Sequence, residues 1–133
     1  MSPLFTPPLP SDLGNIVIAD SNDETCLQLK SQFEGLGYGV YICQSLVDFV
    51  ELNAENLKGV ILDININGDE AFQVIEIVRQ SPRAWNVPII LTSSSPSAPS
   101  LIKGLHAGAN DYLIKPFSAR ELASRIQKYS KPA

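Results

Sequence analysis

The sequence predicts an α/β domain in which a five-stranded parallel sheet is covered by helices on both faces. Short apolar runs rich in Ile and Val alternate five times with segments of helical periodicity. Continuous runs of this length are typical of strands that are buried on both faces. Strands that alternate with helices are joined by right-handed crossovers, which gives a doubly wound parallel sheet. The 133 residues, 44% of them hydrophobic, suffice for one such domain.

The strand candidates differ in strength. In chain order they are residues 15–19, 38–43, 59–62, 88–91 and 111–114. The first, third and fourth are the strongest, because each is a short apolar run that stops at a polar residue. Those polar residues are Asp20, Asp63 and Thr92. The second and fifth candidates are weaker.

The helix candidates follow the strands one by one. The first opens with Ser21 and Glu24 in capping-box positions and stops at Gly37. Between these residues, apolar side chains recur at helical spacing. The next candidates are residues 46–52, 70–79 and 99–107, the last of which ends at Gly108. Ser118 and Glu121 form a second capping box, which begins the fifth helix.

Composition and charge exclude several classes of function. The net charge of −4 and the pI near 4.8 argue against nucleic-acid binding. The longest apolar run, residues 87–91, is too short to cross a bilayer, so we expect no membrane partner. Residues 1–13 are rich in proline and lack the positive charge of a secretion signal. We therefore expect a cytoplasmic protein in which Cys26 and Cys43 are reduced thiols.

Four polar residues are predicted to meet at one edge of the sheet. Asp20, Asp63 and Thr92 follow strands directly, and Lys115 follows the fifth strand. Any one of them alone would indicate only the end of a strand, but four at the carboxyl edge indicate a binding site. Two nearby carboxylates need a cation between them, and oxygen ligands favour Mg²⁺. A lysine and a hydroxyl suit a phosphoryl group, for which a carboxylate can serve as the nucleophile.

The chain from about Asn15 to Lys128 resembles the CheY-like receiver domains of two-component response regulators. The matching stretches are residues 16–20, 60–65, 88–92 and 108–117 (GANDYLIKPF), of which the last is the most specific. The resemblance implies a doubly wound (βα)5 flavodoxin-like sandwich with a five-stranded parallel sheet. We therefore assign residues 14–130 to the receiver domain and residues 131–133 to a tail. The proline-rich composition of residues 1–13 predicts a flexible segment.

The resemblance also implies a phosphorelay site. Asp63 would accept a phosphoryl group from a sensor histidine kinase or a phosphotransfer protein. Asp20, Asp63 and the backbone carbonyl of Asn65 would bind Mg²⁺. The domain would be a phosphoacceptor and not an enzyme, with slow self-dephosphorylation at most. Its role would be signal transduction.

A switch to an output partner is implied as well. Thr92 would bind the phosphoryl oxygens, Lys115 would neutralise their charge, and Pro116 would be structural. Tyr112 would turn inward together with Thr92 and reshape the face formed by the fourth helix, fifth strand and fifth helix. Through that face the domain would bind an output protein or domain, or form a homodimer.

Three departures from the family pattern keep an alternative open. Ala19 replaces the first of the usual acidic pair, so we expect a weakened Mg²⁺ site. Asn67 stands where a proline is usual, and Ala71 where a glycine is usual. These changes are compatible with a pseudo-receiver, which would bind partners without being phosphorylated.

Alternatives from other classes fit less well. A phosphatase of the haloacid dehalogenase type would use an aspartate nucleophile on its first strand, whereas Asp63 follows the third. A flavodoxin-like FMN binder needs a phosphate-binding loop after the first strand, and the loop here is acidic. Residues 63–68 also match the start of a calcium-binding EF-hand loop, but its twelfth position is Val74 instead of Glu.

Overall fold

The computed structural model describes residues 6–130, in which strands and helices alternate along the chain. They are β1 (Asn15–Ala19), α1 (Asp23–Gly35), β2 (Gly39–Cys43), α2 (Leu46–Glu51), β3 (Leu57–Asp63), α3 (Ala71–Gln80), β4 (Ile89–Ser93), α4 (Pro99–Ala107), β5 (Asp111–Ile114) and α5 (Ala119–Tyr129). The strands form one parallel sheet in the order β2-β1-β3-β4-β5. The predicted fold class is confirmed.

The sheet separates two apolar layers. Ile16 and Ile18 of β1 pack with buried side chains of α1 and α5, such as Phe33. Val17 and Ala19 point to the other face, which α3 and α4 cover. Because alternate residues of a strand point to opposite faces, burial on both faces accounts for the continuous apolar runs. No helix within residues 6–130 is long and apolar enough to span a membrane.

The helix ends agree with the sequence except at α1. The predicted capping box at Ser21 is wrong: Asn22 is the N-cap, and its Oδ1 accepts a hydrogen bond of 2.8 Å from the backbone N–H of Thr25. The cap shifts by one residue because the Asn22 N–H is held by Asp20 Oδ1 at 2.8 Å. The capping box of α5, formed by Ser118 and Glu121, is confirmed.

Residues 6–13 lie against the sheet. Residues 6–13 form neither helix nor strand, and the Leu13 N–H donates to the Gly37 carbonyl at 3.4 Å. A Cβ atom on Gly39 would lie 3.0 Å from the Leu9 carbonyl oxygen, so this segment passes close to β2. Residues 1–5 and 131–133 lie outside the described part of the chain, and the flexibility of residues 1–13 stays a prediction.

An arginine that the sequence did not single out ties three segments together. Arg79, near the end of α3, donates from Nε to the Gly108 carbonyl at 2.8 Å and from Nη1 to the Val87 carbonyl at 2.6 Å. Its Nη2 donates to Asn110 Oδ1 at 2.8 Å, and the same oxygen accepts the Ile89 N–H. Burial lowers the pKa of Arg79. The guanidinium thus joins α3 to the start of β4 and to the α4–β5 turn.

Replacement of Arg79 by alanine is expected to lower the free energy of unfolding by about 2–4 kcal/mol, because partly buried acceptors lose their donors. Urea denaturation followed by circular dichroism measures this change. The matched control is Arg83→Ala, because Arg83 is exposed; we expect it to change stability by less than about 0.5 kcal/mol. Equal effects of the two substitutions would contradict this account of Arg79.

Candidate functional site

The predicted convergence of carboxylates and lysine is found at the carboxyl edge of the sheet. Asp63 ends β3, Asp20 directly follows β1, and Lys115 directly follows β5. Lys115 Nζ donates to Asp63 Oδ2 at 2.8 Å and to Asp20 Oδ2 at 3.1 Å. The exposed fraction of the side chain is 5% for Asp20, 13% for Asp63 and 24% for Lys115. One ammonium group therefore bridges two carboxylates in a largely buried setting.

Backbone hydrogen bonds fix the other oxygen of each carboxylate. Asp63 Oδ1 accepts from the Asn65 N–H at 2.7 Å, and Asp20 Oδ1 accepts from the Asn22 N–H at 2.8 Å. Short side chains that bond the backbone two residues further on stabilise tight turns after a strand. Each carboxylate is thus held between its own loop and Lys115.

The site carries more negative than positive charge. Burial raises the pKa of Asp20 above its ordinary value of 3.8; the Asn22 hydrogen bond opposes this rise, and the charge of Asp63 adds to it. Burial lowers the pKa of Lys115, but its contacts with Asp63 and Asp20 outweigh burial, so that its pKa lies above 10.5. With two carboxylates and one ammonium, the site favours a further cation.

The remaining predicted residues lie around this centre. Thr92 is buried and is aligned with Asp63 in the β3–β4 pairing, where its carbonyl accepts the Ile64 N–H at 3.0 Å. Tyr112 on β5 is 37% exposed, so its ring does not fill the interior. Pro116 follows Lys115 through a cis peptide bond. The structure therefore brings Asp20, Asp63 and Lys115 into contact and leaves Tyr112 at the surface.

The donor set fits a hard cation such as Mg²⁺. Asp20 and Asp63 offer carboxylate oxygens, and Asn65 lies in the turn just after Asp63. No group of three or more His, Cys, Asp or Glu side chains comes together in the described part of the chain. Backbone carbonyls and water can supply further oxygen ligands, a mixture that is common for Mg²⁺. Ala19, which is fully buried, adds no side-chain oxygen.

The thiols are expected to be unreactive in the folded protein. Cys26 and Cys43 are fully buried, and Cys26 Sγ donates to the Asp20 carbonyl at 3.1 Å. Burial raises the pKa of Cys26 to about 12 and also raises that of Cys43. Because the thiolate is the reactive form, a chromogenic disulfide reagent at about pH 8 should label no cysteine before unfolding and both afterwards. Rapid labelling of the native protein would contradict this expectation.

A set of contacts beside the site had no signal in the sequence. Residues 44–46, which join β2 to the first residue of α2, contact the loops that follow Asp20 and Asp63, through Gln44 on one side and through Leu46 on the other. Gln44 Nε2 donates to Asp23 Oδ1 at 2.7 Å. The Leu46 N–H donates to Glu70 Oε1 at 2.7 Å. These partners are more than twenty residues apart in the chain, and local periodicity carries no information about them.

Comparison with known proteins agrees with this geometry. The response regulator receiver domain family matches residues 16–127. The chain is 31% identical over 115 residues to the uncharacterized transcriptional regulatory protein YkoG of Bacillus subtilis (strain 168); the match covers 86% of this chain and 50% of that protein. The chain thus spans about half the length of this curated relative.

Solved structures of receiver domains share the architecture. The receiver domain of the Francisella response regulator 1452 is 26% identical, with a TM-score of 0.71 over 86% of this chain and 94% of that one. The receiver domain of the sensor histidine kinase PA1611 from Pseudomonas aeruginosa PAO1 is 23% identical, with a TM-score of 0.75 over 86% and 95% of the two chains. That structure has a magnesium ion coordinated in its active site cleft. At this level of identity, the second similarity shows the fold alone.

Proposed function

The chain belongs to the response regulator receiver domain family of two-component systems, and on that premise we propose that it accepts a phosphoryl group on Asp63. The observation that carries the proposal is the bridge from Lys115 Nζ to the carboxylates of Asp63 and Asp20. It combines a candidate nucleophile, a second metal ligand and a fixed positive charge. Burying charged groups costs free energy, so a role merely as the polar end of two strands does not account for this bridge.

In the proposed reaction the donor is a phosphohistidine of a sensor histidine kinase or a phosphotransfer protein. A carboxylate oxygen of Asp63 attacks phosphorus, the P–N bond breaks, and its electron pair stays on the imidazole nitrogen. The product is an acyl phosphate on Asp63. Lys115 opposes the negative charge of the phosphoryl oxygens, and Thr92, which is aligned with Asp63 in the sheet, donates its hydroxyl to one of them.

We assign Mg²⁺ to Asp20, Asp63 and the backbone carbonyl of Asn65. When bound, the ion neutralises charge on the transferred phosphoryl group. The magnesium ion in the PA1611 receiver domain supports this assignment. Because Ala19 contributes no carboxylate, we propose that the Mg²⁺ affinity is lower than at a site with an acidic pair.

The proposed output is a change on the face formed by α4, β5 and α5. Phosphorylation draws Thr92 inward, and the exposed Tyr112 turns toward the space that Thr92 leaves. The partner at this face is an output protein or domain, or a second copy of the chain. YkoG supports an output partner, since it is a transcriptional regulatory protein of about twice the matched length. The domain itself, residues 14–130, acts as phosphoacceptor and not as an enzyme.

A pseudo-receiver is the second candidate, and two observations favour it. Ala19 removes one acidic group, and Asn67 has a φ of 40°, which the proline that is usual at this position cannot adopt. The β3–α3 turn therefore has its own conformation. The phosphatase alternative has no such support, because Asp63 ends β3 and not β1.

Phosphorylation by acetyl phosphate tests the proposed function. The folded protein is incubated with acetyl phosphate and Mg²⁺, and its intact mass is measured. We expect one added phosphoryl group, with none in the presence of EDTA. Beryllofluoride with Mg²⁺, added to the same folded protein, should shift resonances in its NMR spectrum. No response to either reagent, with the fold verified by circular dichroism, would favour the pseudo-receiver.

A further inference from the structure

Residues 44–46, at the junction of β2 and α2, connect the two loops that follow the site carboxylates. On one side, Gln44 Nε2 donates to Asp23 Oδ1 at 2.7 Å and to the Ser21 carbonyl at 3.5 Å. Both partners belong to the segment that directly follows Asp20. The position of that segment relative to β2 is therefore set by one glutamine side chain together with the Asp20 N–H, which donates to the Cys43 carbonyl at 3.1 Å.

On the other side, Glu70 links the start of α2, at the same junction, to the β3–α3 turn. Its Oε1 accepts the Leu46 N–H at 2.7 Å and Asn67 Nδ2 at 3.1 Å. Asn67 lies in the turn between Asp63 and α3. One carboxylate oxygen thus holds the start of α2 and the middle of the turn at the same time.

We propose that Gln44 and Glu70 are positioning residues that hold the Asp20 and Asp63 loops at the spacing required for Mg²⁺. This inference rests on the proposed function, because it assigns the residues to that same site. Neither side chain needs to touch the ion. They act through the loops that present its ligands, in the way that groups behind metal ligands commonly do.

Two further features make such support necessary here. Asn67 and Gly68 both have a left-handed backbone, with φ of 40° and 81°. An asparagine in this conformation costs free energy, and the Glu70 hydrogen bond offsets that cost. In addition, Ala19 leaves only two side-chain carboxylates at the site, so that Mg²⁺ affinity depends on the spacing of these two.

The decisive experiment compares Mg²⁺ affinities by isothermal titration calorimetry. We expect Glu70→Ala to weaken binding about 5–10-fold, near the lower end of what loss of groups behind a metal ligand costs. Glu70→Gln keeps an oxygen that can accept both hydrogen bonds and should remain within about twofold of wild type. Gln44→Ala, which breaks the other link, should weaken binding as well. Glu76→Ala is the matched control, because Glu76 is exposed on α3.

The variants separate positioning from charge and from stability. Equal weakening in Glu70→Gln and Glu70→Ala would overturn the inference, because the lost charge alone would then account for the effect. Wild-type affinity in Glu70→Ala would overturn it too. At saturating Mg²⁺, Glu70→Ala should be phosphorylated by acetyl phosphate at the wild-type rate. A general loss of structure would prevent this recovery. If Glu70→Ala does not fold, Asn67→Ala takes its place. This variant removes one of the two hydrogen bonds to Glu70 Oε1, and we expect a smaller loss of Mg²⁺ affinity. Unchanged Mg²⁺ affinity in both Asn67→Ala and Gln44→Ala would overturn the inference.

Failure of the inference is distinguishable from failure of the proposed function. If wild type is phosphorylated with Mg²⁺ and all variants bind Mg²⁺ equally, only the inference is wrong. If wild type binds Mg²⁺ in a manner that depends on Glu70 but accepts no phosphoryl group, only the proposed function is wrong. If wild type binds no Mg²⁺, both are wrong.

Discussion

Asp63→Asn is expected to abolish phosphorylation by acetyl phosphate completely. An amide is not a nucleophile toward phosphorus under these conditions, and the substitution also removes a carboxylate ligand from the proposed Mg²⁺ site. The shape of the side chain is retained, and its oxygen can still accept from Lys115 Nζ or from the Asn65 N–H. Intact-mass measurement after incubation with acetyl phosphate and Mg²⁺ reads the result directly.

Asp69→Asn serves as the matched control for that loss. Asp69 lies in the same β3–α3 turn and is exposed, so its replacement changes the net charge equally without touching the site. We expect it to be phosphorylated at the wild-type rate. If Asp63→Asn still gained a phosphoryl group, another residue would be the acceptor and the assignment of Asp63 would be wrong.

Lys115→Met is expected to have the largest effect on stability at the site. It removes the one ammonium that bridges Asp63 and Asp20 and keeps most of the aliphatic side chain. Breaking a buried ion pair typically costs about 3–5 kcal/mol; because Lys115 is partly exposed, we expect a loss of about 2–3 kcal/mol near pH 7 without divalent cations. Chemical denaturation measures the loss, and Lys128→Met is the control on the exposed side of α5.

The pH and Mg²⁺ dependence of that loss distinguish charge from packing. Because the folded-state pKa of Asp20 is raised, the stability that protonation of Asp20 provides is present below its ordinary pKa and is lost as the pH rises through the raised value. Because the contact with Lys115 lowers the pKa of Asp20, its loss in Lys115→Met raises that pKa further. The difference in stability between Lys115→Met and wild type should therefore be smaller at acidic pH, where Asp20 becomes protonated, than near pH 7. Added Mg²⁺ should stabilise the variant more than wild type. An equal deficit under all these conditions would show that the loss is one of packing.

The linkage has the same sign for the lysine, but it acts at the alkaline end of the pH range. The contacts with Asp63 and Asp20 raise the pKa of Lys115 above 10.5. The stability that Lys115 contributes is therefore fully present below 10.5 and is lost as the pH rises through its raised pKa. Wild type and Lys115→Met should converge in stability at that end of the range.

Much of the fold could be predicted because its signals are local. Buried parallel strands read as short apolar runs, and the polar residue at the end of each run marked the edge where Asp20, Asp63 and Thr92 lie. The range of α3 and the capping box at Ser118 could also be predicted from neighbouring residues. The cap of α1 was placed one residue too early, since serine and asparagine are nearly equal as N-caps and only the turn made by Asp20 decides between them.

The contacts that support the site could not be predicted in the same way. Arg79 reaches the Gly108 carbonyl and Glu70 reaches the Leu46 N–H, across 29 and 24 residues. Both use a backbone group of the partner, and every residue except proline offers an N–H as well as a carbonyl. Sequence patterns therefore identify the carboxylates and the lysine, whereas the three-dimensional structure is needed to find what holds them.

The lysine bridge has a consequence for how the fold responds to divalent ions. Because Lys115 supplies a counter-charge for Asp20 and Asp63 within the chain, we expect the protein to stay folded without added Mg²⁺. If the proposed function holds, the Mg²⁺ concentration would then govern how readily Asp63 is phosphorylated, while the folded fraction of the protein stays nearly constant.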